Sequence, residues 1–361
     1  MHNCDGYAVG PFNTRTAGVI GMNGKQRIAA ALNGTWPDRT PVMLHNFMMA
    51  AREDALTMRE FREDPRKIAH SLGVAAERYD LDCIFVDVDT ATLAGAMAVP
   101  VDFPEDSPAR AHQAALRSIE AVRDLPVPDI VHDRRIQIWT EAVTILVREY
   151  GDDLCIRGNC DQSPFSLAGA MLGLDQWLME VASGDNDELV HQLLSHCTEA
   201  TCQFIRLMAA TGAHLLSNGD SPAGPDMLSP RLYPTYALPY EKLVAECSHQ
   251  AGLPYLLHIC GKTDRILEPM LNSGADGLEI DFKTNAQLAH DAFKDRDTFV
   301  GNIDPTAVLA LGTTEIVKRK TEELLNIFAD TPRFILNSGC ALPACTPEEN
   351  VRAMLACRRT L

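Results

Sequence analysis

The sequence predicts a single (β/α)8 (TIM) barrel, and three observations carry that reading. Eight short apolar runs of β type alternate with longer stretches that open on helix start signals. Such alternation builds a parallel sheet, and eight repeats favour a closed barrel over an open sheet. Nearly every run ends in polar, chemistry-bearing residues, which a barrel gathers at one mouth.

The runs are Pro41–Leu44, Cys83–Val86, Leu154–Ile156, His214–Leu216, Pro254–Leu257, Gly277–Ile280, Thr298–Val300 and Arg333–Leu336. Between them, Asp64-Pro65, Ser229-Pro230 and Asp304-Pro305 each set a capping side chain before a proline at the first helical position. Thr346-Pro347-Glu348-Glu349 adds a reciprocal Thr/Glu capping box. Residues 1–22 read as an N-terminal extension and residues 23–361 as one barrel domain. Between the second and third runs, Pro100, Pro104, Pro108, Pro126 and Pro128 punctuate an insertion far longer than one crossover needs. It carries one helical stretch, Arg110–Arg123, and is expected to form a lid or one wall of the site.

Composition removes several function classes. The net charge of −17 disfavours nucleic acid and anionic membrane, both of which need a basic face. No run of about 18 apolar residues is present to span a bilayer. Residues 1–22 lack the basic and apolar regions of a secretory signal. The 11 cysteines are scattered and odd in number, which reads as reduced thiols in the cytoplasm, some of them metal ligands, rather than a disulfide framework.

The strand ends supply the candidate site. His258-Ile259-Cys260 closes the fifth run, and residues i and i+2 of a strand point the same way. One imidazole and two thiolates suit zinc, with a fourth position left for substrate or water. Cys340 follows Gly339 just past the eighth run and is the natural third ligand, with Cys345 in reserve; the alternative is a buried thiol and a hydrogen-bonded histidine. Glu279 or Asp281, one strand on, could fill the fourth position at rest, or serve only as hydrogen-bonding support. Asp220 and Asp281 are candidates for catalytic proton transfer, and His45, Asn46, Asp87, Asn159, Asn218 and Asn302 for holding substrate.

These residues resemble the uroporphyrinogen decarboxylase superfamily, and within it the zinc-dependent methyltransferases of corrinoid systems. The resemblance runs from about Lys25 to Ala356. It is carried by Lys25–Leu32 with Asp38–Val42, Gly158-Asn159, Ser163–Ala168, Ser229-Pro230, Pro239-Tyr240, His258–Gly261, Gly301–Pro305 and Ser338–Cys340. It implies zinc on His258, Cys260 and Cys340, a corrinoid carried by a partner protein, and a small methyl donor or thiol acceptor; a homo-oligomer is compatible with it. The decarboxylases of the superfamily carry arginines directly after the first strand. Here that place reads Leu44-His45-Asn46-Phe47-Met48-Met49, with no counter-charge for a many-carboxylate porphyrinogen.

The resulting expectation is a zinc-dependent methyltransferase. The mouth reads as acidic, with Asp87, Asp89, Asp220, Glu279, Asp281 and Asp304 against Arg157, Lys262 and Lys283. That balance leans toward a neutral methyl donor, a methoxylated aromatic, whose methyl passes to cobalt(I) of the corrinoid protein. The alternatives are the acceptor-side transfer from methyl-cobalt to a thiol, decarboxylation of a small acid, and a non-catalytic subunit that binds zinc or corrinoid.

Overall fold

The computed structural model describes residues 21–361. The expected extension over residues 1–22 therefore lies, up to residue 20, outside the described residues. Ten strands follow one another among the described residues: β1 (Met43–Leu44), β2 (Cys83–Val86), β3 (Val101–Asp102), β4 (Arg110–Ala111), β5 (Cys155–Gln162), β6 (Leu215–Gly219), β7 (Tyr255–Ile259), β8 (Gly277–Ile280), β9 (Thr298–Ile303) and β10 (Phe334–Ser338). Eight of them form one sheet in the order β1-β2-β5-β6-β7-β8-β9-β10, every neighbouring pair parallel. A parallel bridge between Val42 and Leu336, with the Leu336 amide donating to the Pro41 carbonyl at 2.9 Å, brings β10 back to β1. All eight runs read from the sequence are strands of this barrel.

Side-chain alternation then sorts each strand into two faces. Outward residues such as Ile84, Leu216, Leu257, Ile280 and Leu336 join the large core between the sheet and its helices. Inward residues make a smaller cluster from Met43, Cys83, Phe85, Cys155, Leu215, Leu256, Val300 and Ile335, closed from one end by Ile28 and Ala31 of the helix Gly24–Leu32. Two residues further along the same strands, the inward positions turn polar. They become His45, Asp87, Arg157, Ser217, His258, Asn302 and Asn337. An apolar plug thus fills the lower barrel, and the polar layer above it faces the mouth.

Three local expectations are corrected. The insertion has no helix over Arg110–Arg123. Arg110 and Ala111 pair antiparallel with Asp102 and Val101 in a hairpin, and only a short 3-10 turn, Ile119–Asp124, follows. The segment is instead pinned by burial of Leu116, Ile119 and Val122 and by the Leu116 amide donating to the Met171 carbonyl. Ser229-Pro230 opens a turn, and the helix begins at Tyr233. Thr346 turns its hydroxyl back to the Pro343 carbonyl at 2.8 Å, so it makes no capping box with Glu349. The Asp64 cap is present, accepting from Arg66 N, and Asp304 accepts from the amides of Thr306 and Ala307.

Candidate metal centre

His258 and Cys260 leave the end of β7 on the same side of the strand, as the i, i+2 spacing requires. Cys340 arrives from the loop after β10. The His258 Nε2 lies 2.9 Å from the Cys260 sulfur, and the two sulfurs are 3.7 Å apart. The three ligand atoms all fall within 4.8 Å of one another, the only such group of three or more among the described residues. Two thiolates bound to zinc at about 2.3 Å in a tetrahedron stand about 3.8 Å apart, so the sulfur pair already has a zinc-site spacing. Cys345 is exposed and outside the group.

The imidazole is oriented from behind. His258 Nδ1–H donates to the Glu279 carbonyl at 2.9 Å, which leaves the Nε2 lone pair facing the sulfurs. The electrostatics favour charge separation in the trio. A hydrogen bond with the Cys340 thiol, and then the His258 imidazolium, bring Cys260 down to about 3 against the effect of burial. Burial works against a charged His258, but the Cys260 thiolate and Glu279 outweigh it and carry the ring up to about 10. Cys340 keeps its proton, held up by its bond to Cys260 and by burial. A metal cation would displace both protons and take over the role of counter-charge.

Glu279 is differently engaged from the expected resting ligand. One carboxylate oxygen is 2.5 Å from Nη2 of Arg157, and the other accepts from Asn337 Nδ2 at 3.0 Å. Arg157 stacks on the Phe85 ring at 3.6 Å and donates to the Ser217 hydroxyl at 2.9 Å. From there a chain of hydrogen bonds circles the interior. Ser217 donates to Asn159 at 3.2 Å, Asn159 to Asp87 at 3.1 Å, and Asp87 holds His45 Nε2 at 2.6 Å. His45, Asp87 and Asn159 are therefore brought together as expected, in one belt beneath the mouth. The His45 carbonyl also receives the Leu342 amide at 2.8 Å, two residues beyond Cys340.

Other candidates are placed less centrally. Asn218 is one residue out of phase with Ser217 and points away from the interior. Its amide donates to the Cys160 carbonyl and its oxygen accepts from Tyr255, so the structure does not bring it to the substrate side. Asp220 is fully buried and accepts from the amide and hydroxyl of Ser166; burial pushes it up to about 6. Asp281 accepts from the Lys283 amide at 2.8 Å and is also raised by burial. Asn302 donates to the carbonyls of Asp281 and Thr284. Asn46 is buried at the start of the helix Phe47–Glu53. The belt residue Ser217 went unread, although its position two after an inward leucine is the same signal that marks Arg157. Ser221, whose hydroxyl also helps to bring Cys260 down, has no sequence signal beyond following Asp220.

The insertion lines a cleft beyond the ends of β2, β5 and β6, and none of the three metal-type ligands lines it. Residues Ala109–Ala114 line this cleft of about 490 Å³ together with Ala91, Ser166 and Pro222, on the β2–β6 side of the mouth.

The chain is similar to several known proteins. A methylcobamide:CoM methyltransferase (MtbA) of Methanosarcina acetivorans is 30% identical over 229 residues, covering 63% of this chain and 65% of that protein. The chain thus aligns with a little under two thirds of that relative's length. A uroporphyrinogen decarboxylase of Alkalilimnicola ehrlichii is 28% identical over 348 residues, 91% of this chain and 92% of its own. The solved structure of a methyltransferase from Methanosarcina mazei superposes with a TM-score of 0.85 over 93% of this chain and 98% of that one, at 23% identity, and shares the barrel fold. The family model for uroporphyrinogen decarboxylase (URO-D) matches residues 23–361, so the chain belongs to the uroporphyrinogen decarboxylase family.

Proposed function

We propose that this chain is a zinc-dependent methyltransferase that moves a methyl group between the cobalt of a partner's corrinoid and a small molecule at the barrel mouth. The observation that carries it is the His258–Cys260–Cys340 group, a three-donor set that leaves one tetrahedral position open, as catalytic zinc sites do. Bound there, zinc would supply a Lewis acid that holds a substrate thiol as thiolate or draws charge from an ether oxygen. The residues of the chain do the rest. Glu279 fixes the ring of His258 through its carbonyl, and the Ser221 hydroxyl helps to hold Cys260 as thiolate. The belt of His45, Asp87 and Asn159 offers a polar floor for substrate, and Asn46 and Asn302 remain candidates for holding it. Asp220 and Asp281, both raised by burial, are the candidates in this reading for giving or taking a proton.

Charge does not choose the direction, because the acids of the mouth are already engaged. Arg157 neutralises Glu279, Asp87 holds His45, and Asp220 accepts from Ser166. The lysines are engaged too, Lys283 with Asp226 at 3.3 Å and Lys262 with Asp264 at 3.6 Å. The activity for which the methylcobamide:CoM relative is named favours the acceptor half-reaction, in which methyl-cobalt(III) and a thiol give cobalt(I), a thioether and a proton. The second reading is the demethylation of a methoxylated aromatic. There the ether, cobalt(I) and a proton give methyl-cobalt(III) and a phenol, and the small-walled cleft beside the insertion suits the ring. Incubation of the zinc-loaded protein with methyl-corrinoid protein and a thiol panel, and with the reduced corrinoid protein and methoxyarenes, separates the two by the cobalt spectrum. Methyl-cobalt consumed by a thiol supports the first, methyl-cobalt formed from an ether supports the second, and neither sinks the proposal.

Decarboxylation has less support. After β1 the chain turns into the helix Phe47–Glu53, whose single arginine, Arg52, is spent on the Ala344 carbonyl at 2.8 Å.

A further inference from the structure

Away from the metal centre, two cysteines meet in the outer helical layer. Cys202 lies in the helix Asp187–Ala209 and Cys247 in the helix Leu238–Gln250, which pack against each other. The Cys202 sulfur reaches across to the Leu243 carbonyl at 4.0 Å, and the Cys247 sulfur reaches back to the Cys202 carbonyl at 3.6 Å. Each sulfur reaches the backbone of the other helix, so the two side chains share one gap between the helices, and a disulfide there asks for Cβ atoms about 3.8 Å apart.

The environment separates this pair from the other buried thiols. Both residues are buried but 6% exposed, against 0% for Cys83, Cys160 and Cys197 and 3% for Cys155. Cys83 and Cys155 are also neighbours, but they sit inside the barrel, and burial pushes Cys83 well up. Cys247 is instead brought down to about 7 by the hydrogen bond from Cys202 and, against burial, by the Arg206 guanidinium. A thiolate is the nucleophile in attack on a peroxide or disulfide, and its partner thiol is already in place to resolve the product.

We propose that Cys202 and Cys247 form a hydroperoxide-reactive dithiol that closes to a reversible disulfide between the two helices. The Cys247 thiolate attacks the outer oxygen of a hydroperoxide, forming an S–O bond and breaking O–O; the alkoxide leaves and takes a proton as the alcohol. The Cys202 thiol then attacks the sulfenic sulfur, the S–S bond forms, and the hydroxyl leaves as water with the Cys202 proton. Two thiols and one hydroperoxide thus give one disulfide, one alcohol and one water. A cellular dithiol reverses the change by exchange.

The test uses the full chain with zinc added and about one equivalent of hydrogen peroxide. Surviving thiols are alkylated in denaturant and the peptides mapped by mass. The expected result is a Cys202–Cys247 cross-linked peptide, two hydrogens lighter than the reduced pair and lost on dithiothreitol treatment. It should form before oxidation at the exposed Cys345. Mapping separates it from a Cys260–Cys340 link. In Cys202→Ser, Cys247 should accumulate as sulfenic acid captured by dimedone; in Cys247→Ser, Cys202 should stay alkylatable. Full alkylation of both residues once Cys345 is oxidised, or dimedone capture at Cys202 in place of Cys247, would overturn the assignment.

Discussion

Arg157 and Glu279, each 1% exposed, meet inside the barrel with Nη2 and Oε2 2.5 Å apart. The pair joins β5 to β8 across the interior, and Asn337, Ser217 and the Phe85 face complete its surroundings. Glu279 also presents its carbonyl to His258, so a structural ion pair and a metal-site hydrogen bond share one residue.

Removing one member should therefore cost more than the pair contributes. Arg157→Met leaves a buried carboxylate without its counter-charge and should lower stability by about 3–5 kcal/mol, whereas adding Glu279→Gln should recover much of the loss. Urea unfolding of the single and double variants measures both. Additive losses in the double variant would show that the two residues are not coupled.

The metal trio makes its own prediction. Purified protein should bind about one equivalent of zinc. Cys260→Ala and Cys340→Ala should each lose it with a native far-UV spectrum, because both thiols lie at the mouth and neither is part of the apolar core. Metal analysis checks this. Full occupancy in Cys340→Ala would transfer the third ligand to Cys345.

Gly339 should be intolerant of a side chain for a reason separate from ligand chemistry. A Cβ there would stand 2.4 Å from the Phe282 amide nitrogen and 3.1 Å from the Phe282 Cβ. Gly339→Ala must push the chain away from β8 and carry the Cys340 sulfur with it. Zinc affinity should fall by about 10–100-fold, the range seen when the support of a ligand is disturbed. Competition with a chromophoric chelator reads the change, and an unaltered affinity would mean that the loop gives way elsewhere.

His214 should make stability depend on mild acid. Burial first, and then the Lys25 ammonium 3.0 Å from Nε2, bring the ring down to about 4, while Ile156 donates its amide to Nδ1. An unfolded histidine titrates near ~6.5, so the unfolded chain binds this proton more tightly. The contribution is whole above that pH and is lost as the pH falls from about 6.5 to about 4. The difference in urea midpoint between the parent and His214→Gln should shrink over that window. A difference that stays constant between pH 7.5 and 4.5 would show that the ring titrates normally.

Much of this arrangement was legible because strand geometry is periodic. The rule that places His258 and Cys260 on one side of β7 also places Arg157 with Asn159 and Met43 with His45. What escaped the sequence depended on partners distant in the chain. Asn218 looks like a mouth residue by type, but β6 is in register such that Ser217 takes the interior and Asn218 ties down Cys160. The acidity of the mouth was read correctly by composition and wrongly as free charge, since Arg157 reaches Glu279 from three barrel strands away. The stretch Arg110–Arg123 has helical composition, yet its first two residues pair with Val101–Asp102, a contact that local propensity does not report.

The closure of the barrel rests on little. β1 has two residues, and a single bridge from Val42 to Leu336 joins it to β10, so this junction is a seam with almost no backbone ladder behind it. Just above it, the Leu342 amide grips the His45 carbonyl, and Cys340 stands two residues away on the same loop. A cation shared by Cys340, His258 and Cys260 would act as a rivet from that loop to β7. Amide exchange should then be fastest at Val42–Leu44 and Leu336–Ser338 in the metal-free protein, and should slow there, more than in the helices, when zinc is added.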